Sequence, residues 1–284
     1  MRRAWATPGR RPREPLSTIH ARQTMNHDPS ADTLANLLFE ARRAGQTISS
    51  ADGALEPETA TATATDAYAV QFKSIALRGS RVVAWKVGAK SADGPIQGSA
   101  LPSDAFQASP GSVRRTSFGV LGLELEIAFR LRRSFAPTGT PYSSEEVMEA
   151  IGTMAAAIEV VSSRYAEWPR VAPLLQLADL QNHGTLCVGQ GVAYDASYAF
   201  MHPTTRFEFN GSSVLVATPR NPAGDPRRLL PWLVNHVTSR GVAFTEDIWV
   251  TTGSYTGMHF PEVAGTAVGK FDGLPEIRLA IEGG

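Results

Sequence analysis

Three acidic residues on apolar, strand-like segments constrain this chain more than any other feature. Glu124 and Glu126 lie in Leu123-Glu124-Leu125-Glu126-Ile127-Ala128-Phe129, where apolar and acidic residues alternate. Residues two apart on a strand share a face, about 7 Å apart along the chain. Glu159 follows 33 positions after Glu126, in Ala157-Ile158-Glu159-Val160-Val161. It is the only charged residue between Glu149 and Arg164. A Glu-X-Glu pair alone suits the solvated face of an antiparallel sheet. Glu159 breaks that reading, because its surroundings are small and apolar. Buried carboxylates without partners repel one another and carry a large desolvation cost. A hard divalent cation resolves both problems, and oxygen ligands suit Mg²⁺, Mn²⁺ or Ca²⁺ rather than zinc. Glu124, Glu126 and Glu159 are therefore the candidate metal ligands.

Other segments add chemistry around them. Lys86 ends the apolar run Val82-Val83-Ala84-Trp85 and precedes Val87-Gly88. It reads either as a base or carboxylate clamp, or as a lysine snorkelling to the surface. Thr251-Thr252-Gly253-Ser254-Tyr255-Thr256-Gly257 follows Ile248-Trp249-Val250. Glycines and hydroxyls after a strand make a loop that presents N–H and O–H donors to an anion, or an ordinary polar turn. The six histidines show no metal-ligand spacing. His236 reads as structural, and His183 as a possible substrate contact.

Taken in order, these segments resemble the fumarylacetoacetate hydrolase superfamily, and within it the branch of 2-keto-4-pentenoate hydratases and 2-oxo-3-hexenedioate decarboxylases. The resemblance rests on Lys86-Val87-Gly88, Glu124-Leu125-Glu126, Ile158 to Arg164, Ala178-Asp179, Trp232 to His236 and Thr252 to Gly257, across residues 30–284. It implies an α+β fold. A strand-rich distorted β-barrel or sandwich core would carry peripheral helices and an N-terminal helical region. It implies a lyase of aromatic-compound catabolism acting on a small 2-oxo acid or its 2-hydroxydienoate tautomer. Mg²⁺ or Mn²⁺ would sit on the three glutamates, Lys86 would be catalytic, and Ser254, Thr256, His183 and Asp179 would bind substrate. It also implies a cytoplasmic homo-oligomer. The third acid is Glu159, where hydrolytic members usually carry Asp, and no histidine lies between Lys86 and Glu124 to supply their lid. Both features count against a C–C hydrolase of acylpyruvates.

Two positions depart from the hydratase pattern. The Asp of the hydratases' Pro-Asp-Tyr-Gly segment, read as a base, is Ile96 in Pro95-Ile96-Gln97-Gly98. Decarboxylases of the branch carry an apolar residue there, and Asp104 is a candidate substitute. The Asp-Asn pair after the third acid is Asp179-Leu180. Hydratase is the first expectation and decarboxylase the second. A non-catalytic partner subunit is a third reading, against which the intact triad counts.

The chain has 284 residues, no net charge and 43% apolar content, an ordinary globular composition. No apolar stretch reaches the 18 residues of a membrane span. The single cysteine, Cys187, reads as a core thiol in a reducing compartment. Six arginines and one glutamate before residue 25 make that segment +5 and leave the remainder at −5. Residues 1–29 read as a disordered extension or a transit peptide, with Met25 an alternative start. The acidic remainder argues against nucleic-acid binding. Residues 30–80 read as the helical region, with helices near 30–44 and 66–78, and 81–284 as the catalytic mixed β core. Helices are also expected from Ser143 or Ser144 through Met154 and from Pro226 to Gly241.

Overall fold

The computed structural model describes residues 29–50 and 61–283. The expected N-terminal extension lies outside them, apart from its last residue, Pro29. Helices α1 (Pro29–Ala44) and α2 (Ala64–Leu77) come first. Thr63 caps α2, accepting from the Asp66 N–H while the Asp66 carboxylate accepts from the Thr63 N–H. Gly79, in left-handed conformation (φ 62°), follows its end. Leu34, Leu38, Tyr68 and Val70 of these helices bury against Tyr165 and Leu175 in a small core of their own.

Thirteen described strands follow, in two mixed sheets, which makes the protein α+β. The larger sheet runs β2 (Gln97–Pro102), β1 (Val82–Gly88), β11 (Trp249–Ser254), β5 (Gly122–Leu131), β6 (Ile151–Val161), β7 (His183–Val188) and β3 (Phe106–Ala108). The short β8 (Val192–Ala193) pairs with β6. The smaller sheet runs β10 (Ser212–Ser213), β9 (Thr205–Phe209), β12 (Gly265–Phe271), β13 (Ile277–Glu282) and β4 (Gly111–Arg114). It packs on the outer face of β5 and β6. At Gly269 of β12 a Cβ would lie 2.3 Å from Leu125 Cδ1, so the absent side chain sets how closely the sheets approach.

The alternation read in the sequence is the division between these faces. Leu123, Leu125, Ile127 and Phe129 are wholly buried against the smaller sheet. Glu124, Glu126 and Ala128 face the other way. On that inner face the neighbours are small: Ala84, Ala128, Ala155 and Ala157 pack together. Small residues leave room for the sheet to curl, and the curl has a measurable consequence. Lys86 on β1 and Glu159 on β6 are three strand spacings apart, about 14 Å in a flat sheet. Their two side chains could not span that, yet Lys86 Nζ lies 2.6 Å from Glu159 Oε1.

Helix α3 (Ser144–Glu149) is capped by Ser143 as expected, but it ends at Glu149 rather than Met154. Residues 151–154 belong to β6, where Met154 pairs with Phe129. Strand pairing along β5 overrides the helix preference of the alanine-rich segment. Helix α4 (Pro173–Ala178) packs on α2, and α5 (Leu229–Thr238) packs on α3 and β1. On α5, His236 stacks on Trp232 with centroids 4.5 Å apart. Burial and the adjacent Arg240 push its pKa down to about 3, which suits a structural ring. Cys187 is buried, and burial pushes its thiol up to about 12.

Candidate metal centre

Strands β5 and β6 bring the three acids together by register alone. Glu124 pairs directly with Glu159 across the antiparallel ladder, and Glu126 is the next same-face residue on β5. Like charges directly opposite on a sheet are destabilising. Here one carboxylate oxygen from each residue lies within 4.8 Å of the others. Glu159 and Glu126 are 0% and 2% exposed. Burial, then Glu126 and Glu159, push the Glu124 carboxyl up to about 8. Burial, then Glu159, push Glu126 up to about 7, against Lys86, Thr251 and Gly253.

Each acid is held by different groups. Glu126 Oε2 accepts from the Thr251 hydroxyl and, at 2.8 Å, from the Gly253 N–H. A bulge in β11 between Thr251 and Ser254 makes the second bond possible, with Gly253 at φ 93° turning its amide inward. The donors read in the sequence as an anion-binding loop thus serve the protein's own carboxylate. Glu159 Oε1 meets Lys86 Nζ at 2.6 Å and His183 Nδ1 at 2.9 Å. Its Oε2 is buried with no hydrogen-bond partner among the described residues.

Lys86 Nζ also donates to the Gln181 carbonyl at 3.2 Å. Burial pulls its pKa down, but Glu159, Glu126 and Glu124 pull harder, and the net shift is upward. An ammonium has three donors, so one remains for another partner. The four residues open into a cavity of about 320 Å³, walled by Lys90, Pro95, Gln97, Gln176, Asn182 and Pro222.

The other expected site residues lie elsewhere. Ser254 and Thr256 line an adjoining chamber with Lys90, Arg220 and Glu124. The Ser254 hydroxyl donates to the Gly257 carbonyl, and the Thr256 hydroxyl accepts from the Leu125 N–H. His183, expected as a substrate contact, is not among the residues lining the cavity at the glutamates. It is fully buried behind Glu159, with Nε2 3.3 Å from the Ala105 carbonyl. Burial, then Lys86 and Arg42, hold its pKa well below the ordinary range, so the ring is neutral. Asp179, also expected to bind substrate, is buried in an ion pair with Arg164 and does not line this cavity. Asp104 is no substitute base, being bound to Arg78 and Ser80 and facing a different cavity. Ile96 packs on the main core between Pro95 and Gln97. Sequence reading missed Thr251, the Gly253 amide and the Gln181 carbonyl. Only the hydroxyl-rich loop signalled the first two.

The three glutamates fit a hard divalent cation. They offer oxygen ligands alone, one oxygen is buried and unpartnered, and Lys86 is the only cationic side chain hydrogen-bonded to them among the described residues. Ligand oxygens around Mg²⁺ lie about 3 to 4 Å apart, so the cluster needs little contraction.

No family model matches the chain. It is 25% identical to 2-hydroxyhexa-2,4-dienoate hydratase of Comamonas testosteroni over 257 residues, covering 85% of this chain and 92% of that protein. It is 26% identical to 2-keto-4-pentenoate hydratase of Burkholderia vietnamiensis over 265 residues, covering 89% and 98%. Its fold is that of 4-oxalocrotonate decarboxylase from Pseudomonas putida G7, solved with magnesium and adipate. The TM-score is 0.75 and the identity 18%, over 92% of this chain and all of that one. The chain is thus similar over most of its length to two hydratases, and it shares its fold with a decarboxylase.

Proposed function

We propose that this chain is a metal-dependent lyase that hydrates a small 2-hydroxydienoate in aromatic-compound catabolism. The observation that carries the proposal is the cluster of Glu124, Glu126 and Glu159 with Lys86 hydrogen-bonded into it, at the floor of a cavity. Relatives matching most of the chain are named as hydratases. Mg²⁺ or Mn²⁺ would be held by the three glutamates. Bound there, it supplies Lewis-acid polarisation of a 2-oxo acid and compensates the charge of its enolate.

The chain's own groups do the rest. Lys86 stays charged among its acidic neighbours, and Glu159 and the Gln181 carbonyl fix its direction. Its third N–H is free to hold a substrate oxygen or to pass a proton. Lys90 at the mouth adds a second positive charge that favours anionic substrates. Ketonisation moves the enol proton to C5. Water then adds across C3 and C4, hydroxyl to C4 and proton to C3, giving a 4-hydroxy-2-oxo acid. Ser254 and Thr256, in the adjoining chamber, would face the substrate's tail. Homo-oligomeric assembly and a cytoplasmic location belong to the proposal through the family resemblance. Among the described residues no helix is long and apolar enough to cross a membrane.

The second reading is decarboxylation of a 2-oxo-3-enedioate, and Ile96 favours it. Among the described residues, no carboxylate besides the three glutamates lines the cavity. Loss of CO₂ uses the same electron sink without a base to activate water. The test is ultraviolet loss of 2-hydroxypenta-2,4-dienoate with Mg²⁺ and with EDTA, beside CO₂ release from 2-oxo-3-hexenedioate. Metal-dependent formation of 4-hydroxy-2-oxopentanoate is the expected result. CO₂ release from the dioate alone would replace the hydratase reading by the decarboxylase one. Inertness of both substrates would sink both.

A further inference from the structure

Three consecutive non-glycine residues, Leu180, Gln181 and Asn182, hold φ of 50°, 52° and 59°. Side chains disfavour this left-handed conformation, and a run of three persists only where its surroundings impose it. Within the turn, the Asn182 N–H donates to the Asp179 carbonyl at 2.9 Å and the His183 N–H to that of Leu180 at 3.2 Å. The Asn182 carbonyl also accepts from the Ser162 N–H at 2.7 Å, and the Asn182 side-chain amide donates to Gln176 Oε1 at 3.1 Å. Two guanidinium groups grip the backbone on either side of the turn. Arg164, just after β6, pairs with the Asp179 carboxylate and donates at 2.8 Å to the carbonyls of Asp179 and His183. Arg42, near the end of α1, donates to the same His183 carbonyl at 2.8 Å and to that of Gly184.

The opposite side of this turn faces the metal centre. The Gln181 carbonyl takes the Lys86 ammonium, and the His183 ring contacts Glu159. Two cations on one carbonyl make an arrangement that helix packing does not need. Burial in the small helical core would fasten α1 without them.

We propose that Arg42 is a positioning residue: from the N-terminal helix it locks the left-handed turn 180–182 and so sets the direction of Lys86 and Glu159. The guanidinium fork suits this task, because it reaches two successive carbonyls at once, which a lysine cannot do. The consequence for metal binding rests on the reading of Glu159 as a ligand; the restraint of the turn does not.

The experiment uses the full chain with Arg42→Ala, Arg42→Lys and, as a packing control, Leu34→Ala, whose side chain is buried about two turns earlier on the same helix. Hydrogen exchange of metal-free protein reads the turn, and Mn²⁺ titration reads the centre. For Arg42→Ala, exchange at the amides of 182–184 rises while β5 and the middle of β6 stay protected. Its Mn²⁺ dissociation constant rises about tenfold, the scale seen when supporting groups behind ligands are lost. Arg42→Lys recovers only part of both. Leu34→Ala lowers the unfolding midpoint and moves neither. Unchanged exchange at 182–184 in Arg42→Ala, or an equal rise in Leu34→Ala, would overturn the proposal. So would loosened exchange with unchanged Mn²⁺ affinity. A wild-type chain that binds no Mn²⁺ would sink the metal reading of the glutamates, and the exchange comparison would still decide whether Arg42 restrains the turn.

Discussion

At the scale of single residues, the centre is a set of charges that oppose one another until something joins them. Glu124 and Glu126 are pushed up to about 8 and about 7 in the metal-free protein, against about 4.3 for an ordinary glutamate. The folded state therefore keeps protons that the unfolded chain has released. Stability from these groups is fully present below about pH 4.3 and falls as pH rises through 7 and 8. A divalent cation displaces those protons, so its affinity rises over the same interval. Unfolding midpoints measured from pH 5.5 to 8.5, with EDTA and with Mg²⁺, should separate increasingly as pH rises; parallel curves would contradict the assignment. The three acids were legible because alternation and an isolated charge are local patterns. The Gln181 carbonyl was not, since any residue type supplies one. Asp179 and His183 stand in the right segment, but burial and an arginine partner take them off the cavity wall.

Among elements, the bulge in β11 carries the most consequence per residue. Gly253 has space around it: a Cβ would meet nothing nearer than Asn221 Nδ2 at 3.8 Å. Its φ of 93° is the constraint. Gly253→Ala should cost about 1–2 kcal/mol of stability from backbone strain alone. It should also weaken Mg²⁺ binding, because the amide that orients Glu126 moves. Chemical denaturation and metal titration of the variant test both parts, and a neutral substitution would refute them. Most helices and the strands bearing Glu124 and Glu159 were readable from caps, glycine stops and alternation. The end of α3 was not, because its following residues are decided by pairing with β5. The contact of Lys86 with Glu159 was beyond local reading too, as it depends on a strand order, β1-β11-β5-β6, that joins distant parts of the chain.

For the whole molecule, a cation held by the three glutamates would couple its binding to folding. An ion that binds the folded chain and not the unfolded one stabilises it by about 2.7 kcal/mol at a hundredfold excess over its dissociation constant. Thermal unfolding of the wild-type chain should shift upward with Mg²⁺ concentration. Glu126→Gln should abolish the shift and metal-dependent turnover while leaving circular dichroism unchanged. A variant with near-full activity would show that the ligands lie elsewhere. The inner face of the curled sheet also divides labour in a way that bears on descent. Lys86, Glu124, Glu126 and Glu159 are strand residues, whereas much of the wall comes from the connections around Lys90, Pro95, Asn182 and Pro222. Insertions and substitutions in those connections leave the ladders intact. A lineage built on this plan can therefore reshape the cavity wall without disturbing the carboxylate cluster.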